Sequence, residues 1–71
     1  MSAIFFPSRL KFLRRANKIS QQDLSDRLSV ARTTYSSWES GKAEPDIEML
    51  INLSNFFDVS TDFLLGIDQK R

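Results

Sequence analysis

The chain has 71 residues, 41% hydrophobic and 27% charged, which is typical of one small folded domain over residues 1–71 and not of a disordered segment. It contains no histidine, no cysteine and only two glycines, so the commonest general base, the commonest metal ligand, every thiolate nucleophile and a glycine-rich phosphate loop are missing. No apolar run approaches the roughly 20 residues of a membrane span, and we expect a cytoplasmic, non-enzymatic protein without a metal, cofactor, small-molecule ligand or membrane partner.

The net charge of +1 conceals an uneven distribution of charge along the chain. Residues 1–42 hold eight Lys or Arg and three acids, a net charge of +5, whereas residues 43–71 hold two basic residues and six acids, a net charge of −4. A basic half of this kind favours contact with a polyanion. Chance clustering on a solvated surface is the alternative.

Five helical segments are predicted, and no strand alternation persists long enough to compete with them. The first runs from about residue 7 to residue 17. The second runs from about residue 20 to residue 28 and opens on S-Q-Q-D (residues 20–23), a capping pattern in which the serine oxygen accepts a hydrogen bond from a free backbone N–H. Apolar residues recur at helical spacing in both segments: Phe6, Leu10, Leu13, Leu24 and Leu28.

The third helix is predicted over about residues 31–40 and is ended by Gly41. The fourth begins near Asp46 and carries apolar residues along its length. The fifth is short, about residues 61–65, and Gly66 follows it. The links between the segments have two to six residues, as is normal in a helical bundle. The sequence therefore predicts an all-α fold.

The third helix has an unusual polar face. On a helical wheel, short polar side chains and one arginine fall within an arc of about 140°: Arg32, Thr33, Ser36, Ser37 and Ser40. We expect the opposite side to be buried: Ala31, Thr34, Tyr35 and Trp38. Short hydroxyl side chains let another surface come close, and an arginine can pair with guanine through two hydrogen bonds. An ordinary serine-rich solvent face is the alternative.

The order of the segments favours DNA binding. A capped helix over residues 21–28, a tight link over residues 29–31 and a polar helix over residues 31–40 form the layout of a helix-turn-helix, at about residues 20–40. In that motif the second helix enters the major groove of DNA.

Two stretches carry a family pattern: ISQQDLSDRLSVARTTYSSWESGKAEPD and IEMLINLSNFFDVSTDFLLG. Together, over about residues 6–66, they strongly resemble the Cro/repressor-type (Xre-family, lambda-repressor-like) helix-turn-helix domain. The resemblance implies a compact five-helix fold. It also implies a transcriptional regulator of bacterial or phage type, in most cases a repressor, that binds double-stranded DNA sequence-specifically.

The resemblance also implies site residues. Bases would be read by the start of the recognition helix and by one residue a turn later: Arg32, Thr33 and Ser37. Phosphates would be contacted by residues around it: Arg14, Ser20, Gln21, Ser36, Ser40 and Lys42. A salt bridge between Arg14 and Glu39 would fix the orientation of the recognition helix, and Gln21 would brace it. Tyr35 and Trp38 would hold the helix against the core.

A homodimer on a two-fold operator is expected, with half-sites about 34 Å apart and an interface at Phe56 and Phe63. Ala31 stands where the family usually has Ser or Gly, so the recognition helix has no side-chain cap. Tyr35 replaces a branched aliphatic residue, so its hydroxyl needs a partner or solvent. Phe12 and Phe63 keep one alternative open, in which the same fold is an antitoxin or another protein-interaction module.

Overall fold

The computed structural model describes residues 5–67, and within that range the chain forms α-helices and no strand. The helices are α1 (Phe6–Ala16), α2 (Gln21–Leu28), α3 (Arg32–Ser40), α4 (Ile47–Phe57) and α5 (Thr61–Leu65). The predicted all-α, five-helix fold is confirmed, and the predicted helix bounds agree with the structure to within one residue. None of the described helices is long and apolar enough to cross a membrane.

Three helices begin with a side-chain cap. The side chains of Ser20, Asp46 and Ser60 accept hydrogen bonds of 2.8–3.0 Å from the backbone N–H three residues later. Helix α3 differs, because its N-cap is Ala31 and no side chain bonds its first turn. The backbone N–H groups at the start of α3 therefore remain available to a partner.

One apolar core holds the helices together, and it contains eight buried side chains: Phe6, Leu10, Leu13, Leu24, Tyr35, Trp38, Leu53 and Leu64. Helix α1 packs against α3 and α5, α2 packs against α3, and α4 packs against α5. Tyr35 and Trp38 meet edge to face, with ring centroids 5.7 Å apart. Helix α3 is thus fixed between α1 and α2 by its two aromatic side chains.

The expected burial of α3 is wrong at two positions, because Ala31 and Thr34 are exposed. Ala31 is the N-cap and has an extended backbone, with φ −67° and ψ 147°, so the helical wheel does not describe it. Thr34 lies in the first turn, at the edge of the inward arc of the wheel. Only Tyr35 and Trp38 reach the core from α3, and the exposed part of the helix is wider than predicted.

Residues with a left-handed backbone conformation end α2, α3 and α5. Ser29 ends α2 with φ 62°, and Gly41 ends α3 with φ 81°. Gly66 ends α5 with φ 77°, and a Cβ atom there would come within 2.7 Å of the Phe5 ring. Phe5 therefore lies directly against the end of α5, where only glycine leaves room for it.

Candidate nucleic-acid interface

The first turn of α3 presents two free polar side chains. Arg32 and Thr33 are exposed, and neither makes a side-chain hydrogen bond or ion pair with another residue of the 5–67 range. Because Ala31 leaves the first backbone N–H groups uncapped, this end of the helix offers donors from both side chains and backbone. These groups can meet base edges or an anion without breaking an existing bond.

The three serines of α3 differ in what they can offer to a partner. Ser37 Oγ donates to the Thr34 carbonyl oxygen at 2.6 Å, and Ser40 Oγ donates to the Ser37 carbonyl oxygen at 3.2 Å. Because both hydroxyls already donate their proton to a carbonyl oxygen, they can only accept a further hydrogen bond. Ser36 makes no side-chain bond within the described residues, so its hydroxyl remains free to donate.

Glu39 accepts four hydrogen bonds, of which three tie α3 to α1 and α2 and the fourth comes from α3 itself. Arg14 Nε donates to Glu39 Oε2 at 2.6 Å, and Arg14 Nη2 donates to Oε1 at 3.2 Å. Gln21 Nε2 donates to Oε1 at 3.0 Å, and the Tyr35 hydroxyl donates to Oε2 at 2.5 Å. We call Arg14, Gln21, Tyr35 and Glu39 the Glu39 clamp. It joins α1, the start of α2 and α3.

The clamp keeps Glu39 ionised. Burial raises the pKa of Glu39, but the hydrogen bonds from Arg14, Tyr35 and Gln21 outweigh burial and hold that pKa below its ordinary value. Burial, together with the bond to Glu39, raises the pKa of Tyr35 far above its ordinary range, so its hydroxyl stays a donor. The bond to Glu39 likewise raises the pKa of Arg14.

The salt bridge expected between Arg14 and Glu39 is therefore present, with side chains only 13% and 4% exposed. Arg14 Nη1 also donates to the Ile19 carbonyl oxygen at 2.8 Å, so few of its N–H groups remain for a phosphate. The sequence analysis did not identify a partner for the Tyr35 hydroxyl. The spacing could have identified Glu39, because residues four apart are neighbours on one face of a helix.

An open groove lies beside the clamp, between α1 and α3. Seven residues line it: Lys11, Arg14, Arg15, Gln21, Ser36, Glu39 and Ser40. Four of the expected phosphate contacts meet there, whereas Ser20 and Lys42 lie outside it. Lys11 and Arg15 were not assigned any role from the sequence. The basic residues on one face of the first helix were the signal that could have indicated them.

The two other expected phosphate contacts lie at helix ends. Ser20 caps α2, and because its Oγ accepts from the Asp23 N–H at 3.0 Å, its own proton is free to donate. Lys42 is exposed just past α3, where its backbone N–H donates to the Ser37 carbonyl oxygen at 3.0 Å. Its ammonium group makes no ion pair within the described part of the chain.

The two residues expected at a dimer interface differ in exposure. Phe56 is 36% exposed, and its ring meets Phe57 edge to face at 5.0 Å. Phe63 is half-buried, with the Arg9 guanidinium 4.3 Å from its ring centroid. Arg9 Nη1 also donates to the Phe63 carbonyl oxygen at 2.7 Å. Phe63 therefore already has an intramolecular partner on one face of its ring.

Other apolar side chains reach the surface. Ile47 at the start of α4 is 77% exposed, and Ile51 lies one turn further on and is also exposed. Phe12 on α1 is 62% exposed and therefore does not complete the core.

Comparisons with known proteins agree on one family. Residues 10–64 match the family model described as helix-turn-helix. The chain is 45% identical over 60 residues to the uncharacterized HTH-type transcriptional regulator YqaE of Bacillus subtilis, covering 84% of this chain and 52% of that protein. It is 50% identical over 60 residues to the SPbeta prophage-derived HTH-type regulator YonR of the same species, covering 84% and 56%. The chain thus spans about half the length of these curated relatives.

A solved structure has the same fold. The crystal structure of a transcriptional regulator from Listeria innocua superposes with a TM-score of 0.84 at 32% sequence identity. The match covers 93% of this chain and 62% of that one.

Proposed function

The chain belongs to the helix-turn-helix family, and from this premise we propose that it binds double-stranded DNA sequence-specifically as a transcriptional regulator. Helix α3 enters the major groove. The observation that carries the proposal is the outward face of α3, where Arg32 and Thr33 are exposed and unbonded on a helix that the Glu39 clamp holds rigidly. A fixed helix with short, free polar side chains can approach base edges without rearrangement.

Three residues read bases in this proposal. Arg32 donates to O6 and N7 of a guanine, which discriminates against other bases by about 1–3 kcal/mol. Thr33 contacts the neighbouring base edge with its hydroxyl or its methyl group. Ser37 has used its proton on the Thr34 carbonyl oxygen. It therefore accepts from an amino group of adenine or cytosine.

The phosphate contacts surround the reading face: Arg14, Ser20, Gln21, Ser36, Ser40 and Lys42. They fix the register of the helix on the duplex and carry no sequence information directly. Ser20 and Ser36 have a free proton for a phosphate oxygen, whereas Ser40 must first release the Ser37 carbonyl oxygen.

The regulator acts in the cytoplasm as a repressor and binds a two-fold operator as a homodimer. Its interface lies around Phe56 and the exposed side of Phe63. Two half-sites one helical turn apart, about 34 Å, match this arrangement. The role is regulatory and not enzymatic.

Selection of binding sites from random duplex DNA tests the proposal directly. We expect the wild type to enrich a two-fold motif that contains a guanine in each half-site. Arg32→Ala should lose the preference at that guanine, at a cost of about 1–3 kcal/mol. Arg27→Ala is the matched arginine control, because Arg27 belongs to α2 and not to α3. Since Arg27 lies 6.0 Å from the ring of Phe56 at the proposed interface, the comparison uses only the base preference within a half-site. An unchanged motif in Arg32→Ala contradicts the reading role of this residue.

A second candidate function rests on Phe12, whose exposed ring could bind a protein, as in an antitoxin. Salt separates the two functions. Affinity for DNA falls by orders of magnitude between about 50 and 200 mM salt, whereas an apolar protein contact changes little.

A further inference from the structure

Two cations that the sequence left without a role lie in line along the groove between α1 and α3. Lys11 and Arg15 are four residues apart on α1, so they stand about 6 Å apart along the helix axis on one face. Both are exposed, and both line the groove together with Ser36 and Ser40 from α3. One wall of the groove is therefore cationic, and the other is the flank of the proposed reading helix.

The charge of these two cations is not neutralised by the protein. Neither Lys11 nor Arg15 makes an ion pair or side-chain hydrogen bond with any residue between 5 and 67. Glu39 also lines the groove, but its carboxylate is occupied by the four donors of the clamp and its charge is balanced by Arg14. The groove thus keeps a net positive charge from Lys11 and Arg15.

Like charges four residues apart on a helix repel each other, at a cost of about 0.2–0.5 kcal/mol in isolated helices. A row of anions that runs along the groove would remove this repulsion. A DNA strand supplies such a row, with one phosphate for about every 3.4 Å of duplex axis. A strand held on this wall also lies directly beside α3, where the bases would be read.

We propose that Lys11 and Arg15 bind neighbouring phosphates of the DNA strand that lies in the groove. They add to Arg14, which is the one phosphate contact from α1 in the proposed function. This inference rests on the proposed function, because it places the same duplex on a larger surface. It adds two contacts that are independent of base identity and that neither the resemblance nor the reading face supplies.

Salt dependence of affinity measures these contacts. The probe is a labelled duplex that carries the site selected by the wild type, titrated at several salt concentrations between about 50 and 200 mM. The slope of log K against log salt is negative. We expect Lys11→Gln and Arg15→Gln each to reduce its magnitude by about 0.9 per bound copy, and the double variant to reduce it by about 1.8 per bound copy. The order of preference among mutated sites should stay that of the wild type. Arg27→Gln carries the same charge change outside the groove. Because Arg27 lies 6.0 Å from the ring of Phe56 at the proposed interface, this control is read on a duplex with a single half-site, where it should keep the wild-type slope.

The outcomes separate this inference from the proposed function. If the wild type shows no salt-dependent binding to any selected duplex, the proposed function fails. If the wild type binds and Lys11→Gln and Arg15→Gln keep its slope, only the groove contacts are wrong. A changed base preference in either variant also overturns the inference, because it indicates a base contact. Loss of self-association in the double variant, with an unchanged slope, overturns it in favour of an acidic segment of a second copy. Circular dichroism checks that each variant is folded.

Discussion

At the scale of single residues, the carboxylate of Glu39 decides how α3 is held. Each of its two oxygens accepts two hydrogen bonds, and the four donors come from three helices. Hydrogen bonds to charged groups contribute about 1.5–3 kcal/mol each to stability, and an unpaired buried charge costs at least as much. The Tyr35 hydroxyl fills the last acceptor position and thus completes the clamp.

The clamp predicts a pH dependence of stability. The pKa of Glu39 is held below its ordinary value of 4.5, so Glu39 stabilises the fold fully above about pH 4.5 and loses this contribution as pH falls through its lowered pKa. In Glu39→Gln this loss is absent, because the amide does not titrate. We expect its free energy of unfolding to be about 2 kcal/mol lower at pH 7 and to fall less steeply than that of the wild type below pH 4.5. Urea unfolding at a series of pH values measures both effects.

Tyr35→Phe is a second variant for the same measurement. It keeps Glu39 and Arg14 but removes one donor, so the pKa of Glu39 should rise towards its ordinary value and the acid-induced loss should shrink. Parallel pH curves for all three proteins would contradict the role given to the clamp.

The sequence predicted the ion pair but not the whole clamp. Arg14 and Glu39 could be paired through the resemblance to a known family. The resemblance also implied that Gln21 braces the recognition helix. Its partner, Glu39, depends on the angle between α2 and α3, which no local pattern determines. Whether a serine hydroxyl already donates a hydrogen bond within the protein likewise depends on its rotamer, as the bond from Ser37 to the Thr34 carbonyl oxygen illustrates.

At the scale of helices, α3 is weak as an isolated segment. It has nine residues, no side-chain cap and a composition rich in serine and threonine, so its stability comes from packing and not from propensity. The residues that end α2 and α3 then matter, because they set the path of the chain into and out of the reading helix. Ser29 has φ 62°, a left-handed conformation that costs a non-glycine residue about 1–2 kcal/mol.

Replacing this residue should therefore stabilise the protein. We expect Ser29→Gly to raise the free energy of unfolding by about 1 kcal/mol, which is about 4–8 °C in Tm for a domain of this size. Gly41→Ala is the opposite change at the other end of α3 and should lower it by a similar amount. A Cβ there would lie 3.6 Å from Pro7 Cγ, which is ordinary contact, so backbone strain is the cause. Thermal unfolding followed by circular dichroism measures both variants.

Ser29→Ala serves as the control for the side chain. It removes the hydroxyl but keeps the strain, so its Tm should stay close to that of the wild type. A rise in Tm as large as that of Ser29→Gly would mean that the serine hydroxyl, and not a Cβ atom on a left-handed backbone, causes the strain.

The positions of the helices could be predicted from the sequence more accurately than the exposure of their side chains. Caps and glycines gave the bounds to within one residue, because these signals act locally. Burial depends on which neighbours a helix meets, and Thr34 is exposed because α3 reaches the core through two aromatic residues only. The same dependence left Ile47 and Ile51 unassigned, since nothing local indicates that this face of α4 is exposed.

At the scale of the whole molecule, charge is distributed unevenly along the chain. The basic residues of the first 42 positions include those that line the groove, whereas five acids lie in the part of the chain from Glu44 to Asp62. Exposed apolar side chains on α4 accompany the acids: Ile47, Ile51 and Phe56. A second copy that docks on α4 would leave the groove between α1 and α3 free for DNA in each copy. Phe12 lies on the basic side, where a second copy would compete with the duplex.

This arrangement predicts that the proposed dimer depends on Phe56 and not on Phe12. Both are exposed phenylalanines, so Phe56→Gln and Phe12→Gln make a matched pair. Loss of an aromatic anchor at an interface costs about 2 kcal/mol or more, so we expect Phe56→Gln to raise the dimer dissociation constant by about 30-fold. Phe12→Gln should leave it unchanged. Sedimentation equilibrium over a range of protein concentrations measures the constant, and circular dichroism checks that each variant is folded.

DNA binding then distinguishes a lost dimer from a damaged reading helix. On a duplex with two half-sites, Phe56→Gln should need a higher protein concentration than the wild type, because the second copy no longer binds cooperatively. On a duplex with a single half-site the two proteins should bind equally, since Phe56 belongs to α4 and is a member of neither α3 nor the Glu39 clamp. If Phe12→Gln dissociates the dimer instead, the second copy docks on α1. The groove between α1 and α3 would then face a protein partner as well as DNA.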